Sequence, residues 1–237
     1  MIRYASLMKN LNQKYKNCSD EIDTKLNEVL DLLLNQSTEN SQQINKDLLF
    51  IKGQIRREEA RSACRFVGLK PENVHFLDLP FYETGQVKKG NLSEADVNIV
   101  IDLIKTVNPH QIFVAGDLAD PHGTHKVCLN AVLAAIDELK PTGILDECRV
   151  WMYRGAWAEW EIDHIEMAVP ISPEQLRNKR NSILRHQSQM ESAPYLGNDE
   201  RLFWQRSEDR NRATAMLYQN LGLASYEAIE AFVEYKF

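Results

Sequence analysis

A chain of 237 residues fits one ordinary α/β domain, or one domain with an appendage. Its 43% hydrophobic and 26% charged residues are those of a globular protein, and a net charge of −6 argues against a nucleic-acid surface, which is normally basic. No apolar run approaches a membrane span, the first eight residues lack the apolar region of a secretory signal, and four scattered cysteines without a C-x-x-C pair read as reduced thiols of a cytoplasmic protein.

In chain order, Ile22, Leu26, Val29, Leu30 and Leu33 recur at helical spacing and predict a helix over 20–34 behind a Ser19 cap. Residues 35–43 are polar and read as a loop. A second helix, with Ile44, Leu48, Ile51 and Ile55 on one face and Arg56, Glu59 and Ala63 on another, ends near Gly68. Residues 73–79 predict a strand stopped by Pro80, and 81–91 a loop. Ser93-Glu-Ala-Asp96 has capping-box form and opens a helix to Val107. Strands follow at 111–115, 149–153 and 165–169. Ser172-Pro-Glu-Gln175 starts a helix expected to reach about Met190, and a last helix spans about 207–221, closed by Gly222. Strands alternating with helices predict a parallel sheet covered on both faces.

The stretch Asp120-Pro-His-Gly-Thr-His125 carries the most chemistry. It lies between the apolar run 111–116 and a helical pattern over 126–139. Asp120 and Pro121 fit the cap and first position of that helix, which would set His122 and His125 on one face of its first turn. Two imidazoles beyond the end of a buried parallel strand stand where open α/β sheets bind ligands. An isolated H-x-x-H is more often a solvated pair, because two histidines do not complete a zinc site. The strand–turn–helix setting moves the reading towards function.

Four stretches together resemble the LmbE/PIG-L family of zinc-dependent sugar de-N-acetylases. They are Arg56-Arg-Glu-Glu59-Ala60 with Ala63 and Gly68, Phe76-Leu-Asp-Leu-Pro80, Asp120–His125, and Lys179 with His186-Gln-Ser188-Gln189, in the family's order. The likeness is greatest to the domain fused behind glucosamine-6-phosphate deaminase in some bacterial proteins. It extends to 81–85, 151–157 and 203–206. It implies a Rossmann-like, three-layer parallel sheet. His125 would be a zinc ligand, His122 the imidazole facing the tetrahedral intermediate, and Asp120 a carboxylate orienting a histidine ring. Arg56 and Glu59 would brace the pocket wall, and Arg154, Arg56 and Arg57 are the candidates to contact a sugar phosphate on the substrate; surface ion pairing is the default for such residues.

The family also opens on a strand ending in His-Pro-Asp-Asp, which supplies two zinc ligands and the general base. No His-Pro-Asp occurs in these residues. The expectation is a single domain over 1–237 lacking its first two strands: a helical region over 1–43, an α/β core over 44–170 and a helical C-terminal region over 171–237. Its strands at 73–79 and 111–115, normally separated by the two opening strands, would then pair directly or leave a gap.

Replacement ligands are hard to find. His75, His110, His164 and His186 lie elsewhere, and Asp117 and Asp78 are the carboxylates nearest strand ends. Zinc is therefore expected to be weak or absent. The implied function is an impaired de-N-acetylase-like domain acting on an N-acetylated amino sugar. The alternatives are a non-catalytic, sugar-phosphate-binding or scaffolding module of a glucosamine-6-phosphate deaminase, or a remnant of a longer reading frame. An amino sugar, a deaminase domain or a second copy are the expected partners. The aromatic group Trp151, Tyr153, Trp157 and Trp160 is expected to pack in the core.

Overall fold

The computed structural model describes residues 24, 46–82, 90–116, 123–156, 158–190 and 201–237. Among these the elements are α1 (Lys46–Phe66), α2 (Glu94–Val107), β1 (Gln111–Ala115), α3 (Thr124–Leu139), β2 (Arg149–Tyr153), β3 (Met167–Ile171), α4 (Pro173–Ile183), α5 (Phe203–Asn220) and β4 (Ala228–Tyr235). The helix expected over 20–34 and the motif residues Asp120 and His122 lie outside the described residues. The chain divides into two compact units, one holding 1–76, 83–88 and 185–192 and the other 77–82, 89–184 and 193–237.

The second unit is an α/β sandwich around a four-stranded sheet of order β1-β2-β4-β3. β1 and β2 run parallel, with Gln111 opposite Arg149 and Ala115 opposite Tyr153. β4 is antiparallel to both β2 and β3. Alternation assigns the two faces. Ile112, Val114, Val150 and Tyr235 point to one side, where α2 and α3 bury Val97, Val100, Ile101 and Ile104 against Ala131, Ala135, Ile136 and Leu139. Each large aliphatic of this kind contributes about 1.5–3 kcal/mol when fully buried. Phe113, Trp151, Phe232 and Glu230 point to the other side, where Asn211 of α5 donates to the Ile229 carbonyl at 2.8 Å and Lys179 of α4 reaches Glu230.

Helix boundaries follow from local chemistry. The Ser93 hydroxyl and N–H both donate to Asp96, at 2.5 and 2.9 Å, and the Phe81 N–H donates to its other oxygen at 2.9 Å. Asp96 thus caps α2 and anchors the preceding chain. Burial pushes its pKa up, but the hydrogen bonds from Ser93, Phe81 and the local backbone outweigh that and hold the carboxyl below its usual range. α4 opens as expected, with Gln175 N–H donating to Ser172 Oγ at 3.2 Å and Ser172 N–H donating back to Gln175 Oε1 at 2.9 Å.

Five expectations are corrected. Parallel pairing is confined to β1–β2, because β4 returns antiparallel between β2 and β3. The region 171–237 is not all helical, since its last eight-residue element is β4. The stretch 73–79 is no strand: a 3-10 turn occupies Pro71–Asn73, and Asp78 at φ 50° breaks the extended run. Leu77 and Leu79 nevertheless pack against the α2–α3 core, and β1 pairs only with β2 among the described residues. β3 starts two residues later than expected. Finally, α4 stops at Ile183 rather than near Met190.

The first unit explains that last difference. Glu59 of α1, 1% exposed, accepts the Ser188 N–H at 2.8 Å and the Ser188 hydroxyl at 2.6 Å. An N–H inside a continuing helix would be spent on the carbonyl four residues back; that of Ser188 is spent on Glu59 instead. On the same unit Arg57 and Arg61 lie 5.2 and 5.0 Å from the Phe76 ring centroid, and Arg185 lies 4.8 Å from that of Phe66. Leu49, Ile51 and Ala63 are buried together with Glu58 and Glu59. Burial of α1 therefore includes the Glu59–Ala63 side rather than the aliphatic stripe alone.

Candidate functional site

The parallel pair brings two chain segments out on one side of the sheet. Gly116 follows β1 and Arg154 follows β2 at the same end of the sheet. In open α/β sheets, ligands bind outside the carboxyl ends of the parallel strands, where the strand order reverses.

On the β1 side, α3 begins at Thr124, with Gly123 at its N-cap in the left-handed region at φ 68°. α3 therefore opens at Thr124 behind Gly123, later than the start expected from the sequence. His125 itself stands in the first turn of α3 and is exposed. Asp120, His122 and Asp117 lie outside the described residues. Among the described residues no three His, Cys, Asp or Glu side chains are grouped to hold a metal. Among the described residues between β1 and the first turn of α3, His125 is the one such donor.

On the β2 side the geometry is fuller. The Gly116 N–H, just past β1, donates to the Tyr153 carbonyl at 2.8 Å. Gly116 has no room for a side chain: a Cβ there would lie 2.8 Å from Met152 Cβ and 3.0 Å from Trp160 Cζ2. The Trp160 indole therefore packs on the glycine at the end of β1. Arg154 lies on the same indole, its guanidinium carbon 4.0 Å from a ring centroid. Trp151, by contrast, is 7% exposed and packs in the core as expected of the aromatic group. Trp157 lies outside the described residues.

This loop is fastened by charge. Glu159 accepts the Trp160 backbone N–H at 3.0 Å, Arg210 Nη1 at 2.6 Å and the Thr214 hydroxyl at 2.8 Å. Arg210, only 6% exposed, also pairs with Glu230, and Lys179 Nζ donates to Glu230 at 2.5 Å and to Asn211 Oδ1 at 2.7 Å. Two cations and two carboxylates thus balance. Burial pushes the Glu230 carboxyl up, but Arg210 and Lys179 beside it prevail and hold it below the usual range. Burial pushes the Tyr153 phenol up, and the charge of Glu230 adds to that.

Arg56 and Glu59 belong to the other unit, where Glu59 holds Ser188. The motif residues Glu59 and Ser188 are thereby brought together. Glu159, Arg210 and Glu230 escape sequence reasoning, since their partners lie 51 and 20 residues apart with no periodic signal between them. Trp160 was legible as an aromatic but not as the neighbour of Gly116. Among the described residues no helix is long and apolar enough to cross a membrane.

The family model described as GlcNAc-PI de-N-acetylase, PIG-L, matches residues 29–136. A protein of Bacteroides thetaiotaomicron named glucosamine-6-phosphate deaminase-like is 61% identical over 238 residues, covering 99% of this chain and 36% of its own length. The chain thus spans about a third of that relative. Among solved structures, GalB, the 4-carboxy-2-hydroxymuconate hydratase of Pseudomonas putida KT2440, superposes with a TM-score of 0.55 at 14% identity, over 84% of this chain and 77% of that one. That likeness concerns the fold alone. A deacetylase of teicoplanin biosynthesis gives 0.44 at 17% identity, over 76% and 72%, too loose to bear on function. The family match spans β1, His125 and nearly all of α3, so residues 29–136 of this chain are similar to the PIG-L, or LmbE-like, family.

Proposed function

We propose that this chain is a de-N-acetylase-like module of amino-sugar metabolism, directed at an N-acetylated amino sugar, and that these 237 residues alone are impaired in hydrolysing it. The observation that carries the reading is the place of His125. It stands in the first turn of the helix that follows β1, inside the stretch matching the de-N-acetylase family. In this reading His125 is the zinc ligand, His122 faces the tetrahedral intermediate and Asp120 orients a histidine ring. Impairment follows from the missing partners. No His-Pro-Asp stands anywhere in the sequence. The reading keeps the cytoplasmic placement expected from the scattered cysteines.

The test uses N-acetylglucosamine 6-phosphate with the purified chain, with and without added zinc, following both calorimetric binding and release of free amine. Saturable binding with amine release at background is the expected result. Zinc-stimulated turnover lost in His125→Ala would overturn the impairment, and absence of binding would overturn the substrate class.

A second reading has its own support. The loop after β2 is fastened by Glu159, Arg210 and Glu230 independently of the histidines. This suits a non-catalytic, sugar-phosphate-binding module working beside a glucosamine-6-phosphate deaminase, the activity named for the longer relative. Binding that survives His125→Ala unchanged favours this reading.

A further inference from the structure

We propose that the cavity at the opposite end of the sheet from Gly116 and Arg154 is a binding site for a free α-amino acid with an apolar side chain. This site does not depend on the amino-sugar reading above.

The cavity lies within the second unit, where β1 and β2 begin and β4 ends. Its volume is about 350 Å³. Ligand sites span about 300–1,000 Å³ and join an apolar lining to a few polar groups that fix orientation. The apolar part here is Leu145 and Cys148, both buried in the α2–α3 core, and the partly buried Tyr235, which packs against that core. Burial pushes the Cys148 thiol up, so at neutral pH this side chain is an uncharged, weakly polar group.

The polar part carries both signs of charge. Lys140, Arg149 and Lys236 line the cavity together with Asp146 and Glu234. Lys236 is engaged by Glu166 at 2.8 Å. Arg149 Nε and Glu234 Oε1 stand 4.0 Å apart, beyond hydrogen-bond range. The Lys140 and Asp146 side chains have no hydrogen bond or ion pair among the described residues. Two cations and two carboxylates thus surround one hollow without a hydrogen bond between them. Scattered surface charges are ordinarily just solvated; these converge on an apolar base.

That arrangement selects its occupant. An anion alone would meet two carboxylates, a cation alone would meet two cations, and like charges brought together cost affinity. A zwitterion suits both pairs, its carboxylate facing Lys140 and Arg149 and its ammonium facing Asp146 and Glu234. A hydrocarbon group then covers Leu145 and Cys148. One carboxylate, one ammonium and a hydrocarbon side chain on a small molecule describe an apolar α-amino acid.

Calorimetric titration of the full chain at neutral pH with phenylalanine, 3-phenylpropionate and 2-phenylethylamine tests this. Phenylalanine should bind saturably, and each analogue, lacking one charge, should bind roughly tenfold or more weakly, the weight of one charge-assisted hydrogen bond. Lys140→Gln should narrow the gap between phenylalanine and 2-phenylethylamine, and Asp146→Asn the gap between phenylalanine and 3-phenylpropionate. Both residues are exposed, so both variants should melt as the wild type does. No saturable binding of phenylalanine, an analogue bound as tightly as phenylalanine, or gaps that neither variant narrows would each overturn the proposal. Glucosamine 6-phosphate carries both charges without the hydrocarbon, and its displacing phenylalanine at equal or lower concentration would overturn the amino-acid assignment. Should either variant not fold, the wild-type comparison of the three ligands decides.

Discussion

Gly116 marks the point where two strands, a loop and an indole share one small volume. A methyl group added there meets the Met152 Cβ at 2.8 Å, an atom close to the backbone that cannot swing away. Gly116→Ala should therefore cost about 1–3 kcal/mol, as overpacking does, and push Trp160 off the strand end. A denaturant midpoint equal to wild type would show that the indole does not rest there. Asp96 makes a second single-residue test. It is fully buried and serves the Ser93 N–H and hydroxyl and the Phe81 N–H, and Asp96→Asn turns one acceptor oxygen into a donor facing a donor. The expected loss is about 1–3 kcal/mol in chemical denaturation, and an unchanged midpoint would contradict it. The Ser93–Asp96 box is legible in four letters because both partners lie within one helical turn. The Phe81 bond, fifteen residues away, is not. The start of the helix that carries His125 is not legible in the same way: α3 opens at Thr124, behind Gly123 in the left-handed region.

The elements repeat this division between local and distant causes. The strands at 111–115 and 149–153 are short apolar runs between turn residues, and both appear with the expected bounds. β4 carried a readable signal, Ile229, Ala231, Val233 and Tyr235 alternating with Glu230 and Glu234, and it is this strand that turns a parallel sheet into a mixed one. No alternation, however, tells where a strand inserts, because that depends on partners far along the chain. Charge pairing across α4, α5 and β4 is of the same kind. Glu230 holds Lys179 and Arg210, leaving Glu159 as the other carboxylate of the group. Glu230→Gln would leave two cations facing one carboxylate. One-sided loss of a buried pair costs about 3–5 kcal/mol, and with its side chain 18% exposed Glu230 belongs at the lower end. Replacing Arg210 and Glu230 together by Met restores the balance and should cost less than Glu230→Gln alone. Denaturant melts of the two variants check this, and the reverse order would show that the network does not act through its charge.

At the scale of the whole molecule, the α/β class is legible from the strand–helix succession, but the chain's response to acid is set by carboxylates whose partners only folding assembles. Asp96 and Glu230 are pushed up by burial and held down more strongly by their hydrogen bonds and cationic neighbours, and both finish below their ordinary values of 3.8 and 4.5. Glu208 finishes below 4.5 as well, chiefly through the hydrogen bond from Arg180, against burial and with help from Arg212. A carboxyl whose pKa is lower in the folded chain binds its proton more readily in the unfolded one. Its stabilisation is therefore complete above the unfolded value and lost as pH falls through the folded one. For these three groups the loss begins near 4.5 and continues below 3.8. Denaturant midpoints should stay level from about pH 7 to about pH 5.5 and fall steeply below about pH 4.5. Because Arg180 and Arg212 stay charged throughout, Glu208→Gln should lower the neutral-pH plateau and make the acid fall shallower, since the group that titrates is gone. A midpoint that holds steady down to about pH 3, or a Glu208→Gln curve parallel to wild type, would mean that these ion pairs do not govern the stability of the fold.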